Sequence, residues 1–287
     1  MAGVCQCWKN IIFDSPSFWT TIRVATSASS IMIHLERTRG ALLDIVIEIR
    51  RSKYFSLVPS LDVVGPLAHR WHRLLIYRRH GFAGDEPNDT TLAQTVIERI
   101  SHLQFPSLKR FEISYWNGSL DFLSPARAPA LEHMELDEFV AQQTDFPPVT
   151  TLKTLNVGFY GSRRDNSSFP YLIPTQTLTK LSLSGFTKAF SFQPNSIHFP
   201  SLKTLEILCP EKEREFMDAI VAPNFERLVY TSFDYRNPLF TILGGCRSKF
   251  TNVRHLFFDR HRRGTSKQCF AMPSRFVKLP LVYVMWN

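Results

Sequence analysis

The chain has 287 residues, 44% of them apolar, 21% charged and 13% aromatic, which excludes a disordered or fibrous polypeptide and allows one long domain or two ordinary ones. Mean hydropathy is -0.11, and charged residues interrupt every apolar stretch well short of the ~18 residues a membrane helix requires, so no span is expected. The formal charge of +9 suits a polyanionic partner, but the cations fall in small scattered groups, such as Arg50, Arg51 and Lys53, with no long block in succession.

At the N-terminal end, Val4, Trp8, Ile11 and Ile12 are spaced to share one face of a short helix. That helix is expected to pack its Trp against the elements that follow. Ser15-Pro16 then supplies a fresh N-cap with proline at the first helical position. Polar residues stand where a secretory signal would need an unbroken apolar core. Cys5, Cys7, Cys209, Cys246 and Cys269 contain no C-x-x-C pair, so reduced thiols in cytoplasm or nucleus are expected.

Further along, the chain repeats itself. Phe105-Pro106-Ser107-Leu108-Lys109-Arg110-Phe111-Glu112-Ile113 returns as Phe199-Pro200-Ser201-Leu202-Lys203-Thr204-Leu205-Glu206-Ile207, with looser copies from Ala128 and Ala222. All four share proline, one spacer, then apolar-x-x-apolar-x-apolar. Leu152, Leu155 and Val157, then Leu178, Leu181 and Leu183, and finally Val253, Leu256 and Phe258 repeat the apolar part without the proline. The first anchors fall at 108, 131, 152, 178, 202, 225 and 253, in steps of 21 to 28 residues, inside the range of leucine-rich repeats. Less regular copies precede them: Trp19, Ile22, Val24; Leu42, Ile45, Ile47; and Trp71, Leu74, Ile76. A last copy, Leu279, Val282, Val284, would end the array. Three apolar positions match by chance in about one window of twelve at this composition, so the weight rests on the even register and the shared proline.

Each copy reads as a short parallel strand followed by a connection on the other face, and proline two residues before the anchor suits a strand start, where no ladder donor is yet needed. Thr91 to Leu103 places Leu92, Val96, Ile97, Ile100 and Leu103 on one helical stripe, and Glu211 to Val221 carries Phe216 and Ile220 after a charged first turn. The expected fold class is α/β, an irregular leucine-rich-repeat solenoid with parallel strands on its concave face and helices and loops outside. Where the repeat consensus has Asn or Cys, this chain has Trp116, Phe139, Tyr160, Phe186 and Phe233, with Pro210 and His261 in the other two copies. An aromatic stack is expected to replace the buried asparagine ladder.

The segment Val4-Cys5-Gln6-Cys7-Trp8-Lys9-Asn10-Ile11, followed by Ser15-Pro16-Ser17-Phe18-Trp19, resembles the C-terminal half of an F-box. The stretch from Ser30 through Leu35-Glu36-Arg37-Thr38-Arg39-Gly40 to Leu43-Asp44-Ile45, and His69-Arg70-Trp71-His72-Arg73-Leu74, are similar to motifs of the large fungal class of F-box proteins with degenerate leucine-rich repeats. The resemblance is fairly specific over residues 4–76 and loose beyond. It implies a short N-terminal helical F-box remnant, and a substrate-recognition subunit of an SCF-type ubiquitin ligase that docks on a Skp-type adaptor while its repeats hold a protein target. The family's opening Leu-Pro motif and first helix have no counterpart before Val4, so the F-box is expected to be truncated. Val4, Cys5, Trp8, Ile11, Ile12, Pro16 and Trp19 carry over as adaptor-facing or F-box-core positions. The organisation then reads as residues 1–24 for the F-box-like half, 25–90 for irregular first repeats and 91–287 for the solenoid.

In the apolar-x-x-apolar-x-apolar pattern, the residues beside the last two anchors face away from the core. That column reads Glu112, Glu135, Asn156, Ser182, Glu206, Val229 and Phe257, with Asp137 in the next column after Glu135. These residues are the candidate target-binding face, expected to form an acidic-to-apolar groove for a basic or mixed peptide, with the cations elsewhere. No G-x-S-x-G, H-E-x-x-H or G-x-x-x-x-G-K-[ST] motif occurs, and His69 and His72 have no accompanying third ligand, so neither catalytic residues nor a cofactor or metal site is expected. The alternative readings are a repeat scaffold that binds no adaptor and a basic nucleic-acid-binding protein, the latter suggested by charge alone.

Overall fold

The computed structural model describes residues 5–24, 27–49, 54–78, 89–114, 119–137, 149–158, 173–185, 192–208, 213–232 and 252–260. Helix α1 (Gln6–Asp14) and a 3₁₀ turn (Pro16–Trp19) lead into β1 (Thr21–Arg23), α2 (Ala28–Arg37), β2 (Leu43–Ile49) and α3 (Tyr54–Val64). A 3₁₀ segment, Gly65–Arg70, then enters β3 (Trp71–Arg78), followed by α4 (Asp89–Ile100), β4 (Arg110–Ser114), a 3₁₀ turn (Asp121–Leu123) and β5 (His133–Asp137). The remainder is β6 (Thr154–Gly158), β7 (Lys180–Ser184), β8 (Ile197–His198), β9 (Thr204–Leu208), α5 (Glu213–Ala219), β10 (Ile220–Val221), β11 (Arg227–Ser232) and β12 (His255–Arg260).

Ten of these strands form one sheet in the order β1-β2-β3-β4-β5-β6-β7-β9-β11-β12, and all its pairs are parallel. Each strand lies beside the one before it in the chain. Only β8 and β10 stand apart, as a separate parallel pair with Ile197 opposite Ile220. The fold is thus α/β around a ten-stranded parallel sheet.

The apolar period produces this order by giving every strand the same buried face. Phe111, Met134, Leu155, Leu181, Leu205 and Leu228 are mutual register partners, and so are Ile113, Leu136, Val157, Leu183, Ile207 and Tyr230. None of the twelve exceeds 2% exposure, and at about 1.5–3 kcal/mol per buried side chain the two columns contribute substantially to stability. The first anchors, Leu108, Leu131, Leu152, Leu178, Leu202 and Phe225, are buried beside them.

A second periodic device sits where the strands begin. The carbonyl of Lys109 accepts the N–H groups of both Glu132 and His133, that of Glu132 those of Lys153 and Thr154, and the pattern continues through Lys153, Thr179, Lys203 and Glu226 to Arg254 and His255. The residue just before the first anchor adds a side-chain tie. Thr151 Oγ1 donates to the Leu131 carbonyl and Thr177 Oγ1 to that of Leu152, both at 2.7 Å, while Asn224 Nδ2 reaches the Pro200 carbonyl and Asn252 Nδ2 that of Pro223, also at 2.7 Å. The residue before the first anchor is therefore a polar link between successive copies, whether or not a proline precedes it.

The predicted helix at 91–103 is α4, with Ala93, Val96, Ile97 and Ile100 buried. Helix α5 is shorter than its pattern and buries Phe216, while Ile220 belongs to β10, because a parallel partner at Ile197 satisfies its backbone. Helices α2 and α3 stand outside the repeat pattern; Pro59 lies inside α3, which is held by packing against both α2 and α4. Leu42 is not an anchor: it is half exposed while Leu43 is buried opposite Trp71, since the register shifts between Leu43 and Asp44. Leu256 pairs with Leu228 as expected but is 41% exposed, at β12, the last strand of the sheet among the described residues. Trp116, Phe139, Tyr160, Phe186, Pro210, Phe233, His261 and the copy at Leu279, Val282 and Val284 lie outside the described residues. Among the described residues, no helix is long and apolar enough to cross a membrane.

Candidate functional site

Two surfaces bring the sequence-selected residues together. The first is the face of the sheet opposite the core. In a pleated strand alternate side chains share a face, so the register that aligns the anchors also aligns Glu112, Glu135, Asn156, Ser182, Glu206, Val229 and Phe257 as one row of partners across β4 to β12. Asp137 lies two residues beyond Glu135, opposite Ser114.

This face is not an acidic groove with its cations elsewhere. The neighbouring outward row, two residues earlier on each strand, holds Arg73, Arg110, His133, Thr154, Lys180, Thr204, Arg227 and His255. Acids and bases are consequently paired within the face. Glu112 Oε1 accepts from Arg73 Nε at 2.9 Å and Nη2 at 2.8 Å and from Arg110 Nε at 2.6 Å, which leaves Glu112 only 9% exposed. Lys180 Nζ lies 2.9 Å from Glu206, and Asn156 Nδ2 donates to Glu135 at 3.4 Å. At the β12 end, the Arg227 guanidinium sits 4.5 Å above the Phe257 ring, a cation–π contact between adjacent strands. The expected acidity is overturned because the row two residues earlier shares the face and sets Arg73, Arg110 and Lys180 beside Glu112 and Glu206.

Where the strands begin, Lys153 Nζ bonds Glu132 at 2.9 Å and holds that carboxyl below its ordinary value. Burial pushes the His133 imidazole below its ordinary value, with Arg110 and Lys153 acting in the same direction and Glu132 opposing. His133 is therefore neutral at pH 7.

The second surface is the N-terminal end. Trp8, Ile11, Ile12 and Phe13 of α1 are exposed, Trp8 by 61%, and Phe18, Met32 and Ile33 nearby in the chain are exposed as well. The expected packing of Trp8 against the following elements does not occur. Trp19 takes that role: its Nε1 donates to the Ile12 carbonyl at 2.8 Å, its ring stacks on Phe13 and meets His34 edge-on, and the Arg37 guanidinium lies over both Phe13 and Trp19. Pro16 opens the 3₁₀ turn as anticipated, and Cys5 is an exposed free thiol at the N-cap of α1. Val4 lies outside the described residues. A shallow pocket of about 400 Å³ opens beside the edge strand β1, lined by Thr21, Ile22, Arg23, Ser30, Ile31 and His34.

No group of three or more His, Cys, Asp or Glu side chains among the described residues has a geometry able to hold a metal ion. No protein-family model, curated protein or solved structure matches the chain.

Proposed function

We propose that this chain is a non-catalytic protein-interaction module: a leucine-rich-repeat solenoid that serves as the substrate-recognition subunit of an SCF-type ubiquitin ligase. The observation that carries the reading is the chain-order parallel sheet, in which each copy of the 21-to-28-residue period adds one strand with the same buried anchors. Copies of that kind stack into an extended surface rather than a single closed pocket, and such surfaces suit protein segments. The residues of the F-box-like stretch supply the other half. An exposed row of Trp8, Ile11 and Ile12 on one short helix is more apolar surface than a free helix ordinarily shows to water, and it suits burial against a Skp-type adaptor.

Co-purification of the full chain with the Skp adaptor tests this directly. Capture of the adaptor by the chain, and its loss in a W8S/I11S variant that keeps its fold, is the expected result. A chain that folds and captures no adaptor would be a scaffold of the same architecture, and the ligase reading would fall.

A further inference from the structure

The row of residues that opens the strands carries a charge pattern with a period of its own. Successive rungs from β4 to β12 hold Lys109, Glu132, Lys153, Thr179, Lys203, Glu226 and Arg254, tied to one another by backbone hydrogen bonds. Every second rung is therefore a cation. Neighbouring strands lie about 4.8 Å apart, so the cations recur about every 9.6 Å. All four are exposed. Lys153 engages Glu132, whereas no ion pair among the described residues engages Lys109, Lys203 or Arg254.

We infer that this row binds an extended acidic segment of a protein target in which a carboxylate recurs at every third residue. In a polyproline II backbone three residues make one turn and advance about 9.3 Å, so every third side chain points the same way at nearly the spacing of the cations. Four carboxylates in that register would meet Lys109, Lys153, Lys203 and Arg254 in turn, along about 29 Å of sheet edge. The intervening rungs make the match selective. An unbroken acidic run or a polyphosphate backbone would set negative charge over Glu132 and Glu226. A nucleic acid would also want aromatic platforms for its bases, and the described residues of the opening row contain none. The inference rests on the reading of this sheet as a protein-binding surface and adds the chemistry of the segment it takes.

The test is fluorescence anisotropy of the full chain with three labelled probes: a (Glu-Pro-Pro)4 peptide, a peptide of the same composition with its four glutamates in one block, and a twelve-residue oligothymidylate. The periodic peptide should bind about tenfold more tightly than the block peptide and the oligonucleotide, with affinity falling as salt rises. A K109E/K203E/R254E variant should lose that binding, and an R39E/R99E variant, with its charge reversals outside the row, should keep it. Should the triple variant melt early by circular dichroism, K203E alone should still weaken the periodic peptide several-fold. Equal binding of the two peptides, tighter binding of the oligonucleotide, or unchanged binding by a folded triple variant would each overturn the inference. Adaptor capture, measured on the same preparation, separates the two readings. Capture without peptide binding removes this inference alone, and peptide binding without capture supports it while removing the ligase role.

Discussion

Arg73 of β3 and Glu112 of β4 are joined through two guanidinium nitrogens, Nε at 2.9 Å and Nη2 at 2.8 Å, both on Oε1 of the carboxylate. Arg110 closes on the same oxygen from the carboxylate's own strand. A residue on the outward face of a sheet, which periodicity assigns to solvent, thereby becomes the one buried charged residue among the described residues. Replacing Glu112 with Gln should cost about 1–2 kcal/mol, less than a fully buried pair because both guanidinium groups remain partly hydrated. Arg73→Ala should cost less than that, since Arg110 still holds the carboxylate. Urea denaturation midpoints of the two variants decide it, and equal values would mean that the cluster does not act as drawn.

The anchor columns give the sharpest contrast in stability. Leu181, fully buried in β7, should lose about 2–5 kcal/mol on replacement with Ala, from transfer and cavity together. The same change at Leu256, in the matching position of the last strand but 41% exposed, should cost under about 1 kcal/mol. Thermal or chemical melts of both variants would contradict the column if the two losses came out alike.

The ties between copies predict a smaller, repeated effect. Thr177→Val keeps the shape and removes the 2.7 Å bond to the Leu152 carbonyl, which should cost about 1 kcal/mol. Asn224→Ala, two copies away, removes the bond to the Pro200 carbonyl. The losses in the double variant should add, as distant sites ordinarily do.

Acidification should weaken the fold in two windows. For His133 the folded value lies below the ordinary 6.5, so the unfolded chain takes up its proton first and stability falls as pH drops through 6.5 toward the folded value. For Glu132 the folded value lies below the ordinary 4.5, so its pairing with Lys153 contributes fully above 4.5 and is lost as pH falls through the folded value. An NMR titration of the His133 ring, with stability of His133→Gln measured at pH 7.5 and pH 5.5, reads the first window. A ring value above 6.5 would reverse its sign.

Trp8 and Trp19 should part company despite their common place in the N-terminal segment. Trp8→Ser, at a side chain 61% exposed, should leave the melting midpoint nearly unchanged, within about 0.5 kcal/mol. Trp19→Ala removes the bond to the Ile12 carbonyl and the ring that Arg37 covers, and should loosen α1. Increased amide exchange across α1 in the second variant alone is the expected observation.

Much of this molecule was legible in the residues themselves. A period of 21 to 28 with fixed apolar spacing forces each copy to present the same buried face, so the seven main-sheet strands from β4 onward, their parallel order and the aligned outward row follow from side-chain alternation, while the β8–β10 pair does not. Helix α4 could be read in the same way, from a stripe with a period near 3.6. Helices α2 and α3 could not. Pro59 argues locally against a helix, and only packing between neighbours overrides it. The shift that buries Leu43 in place of Leu42 also needs the partner strand. Tertiary structure alone decided the electrostatics of the outward face. A single strand shows a cation and an acid two residues apart, whereas their pairing across strands depends on which rung lies beside which. That adjacency turned an expected acidic groove into ion pairs around Glu112 and Glu206, and left Lys109, Lys203 and Arg254, where the strands begin, without an ion pair among the described residues.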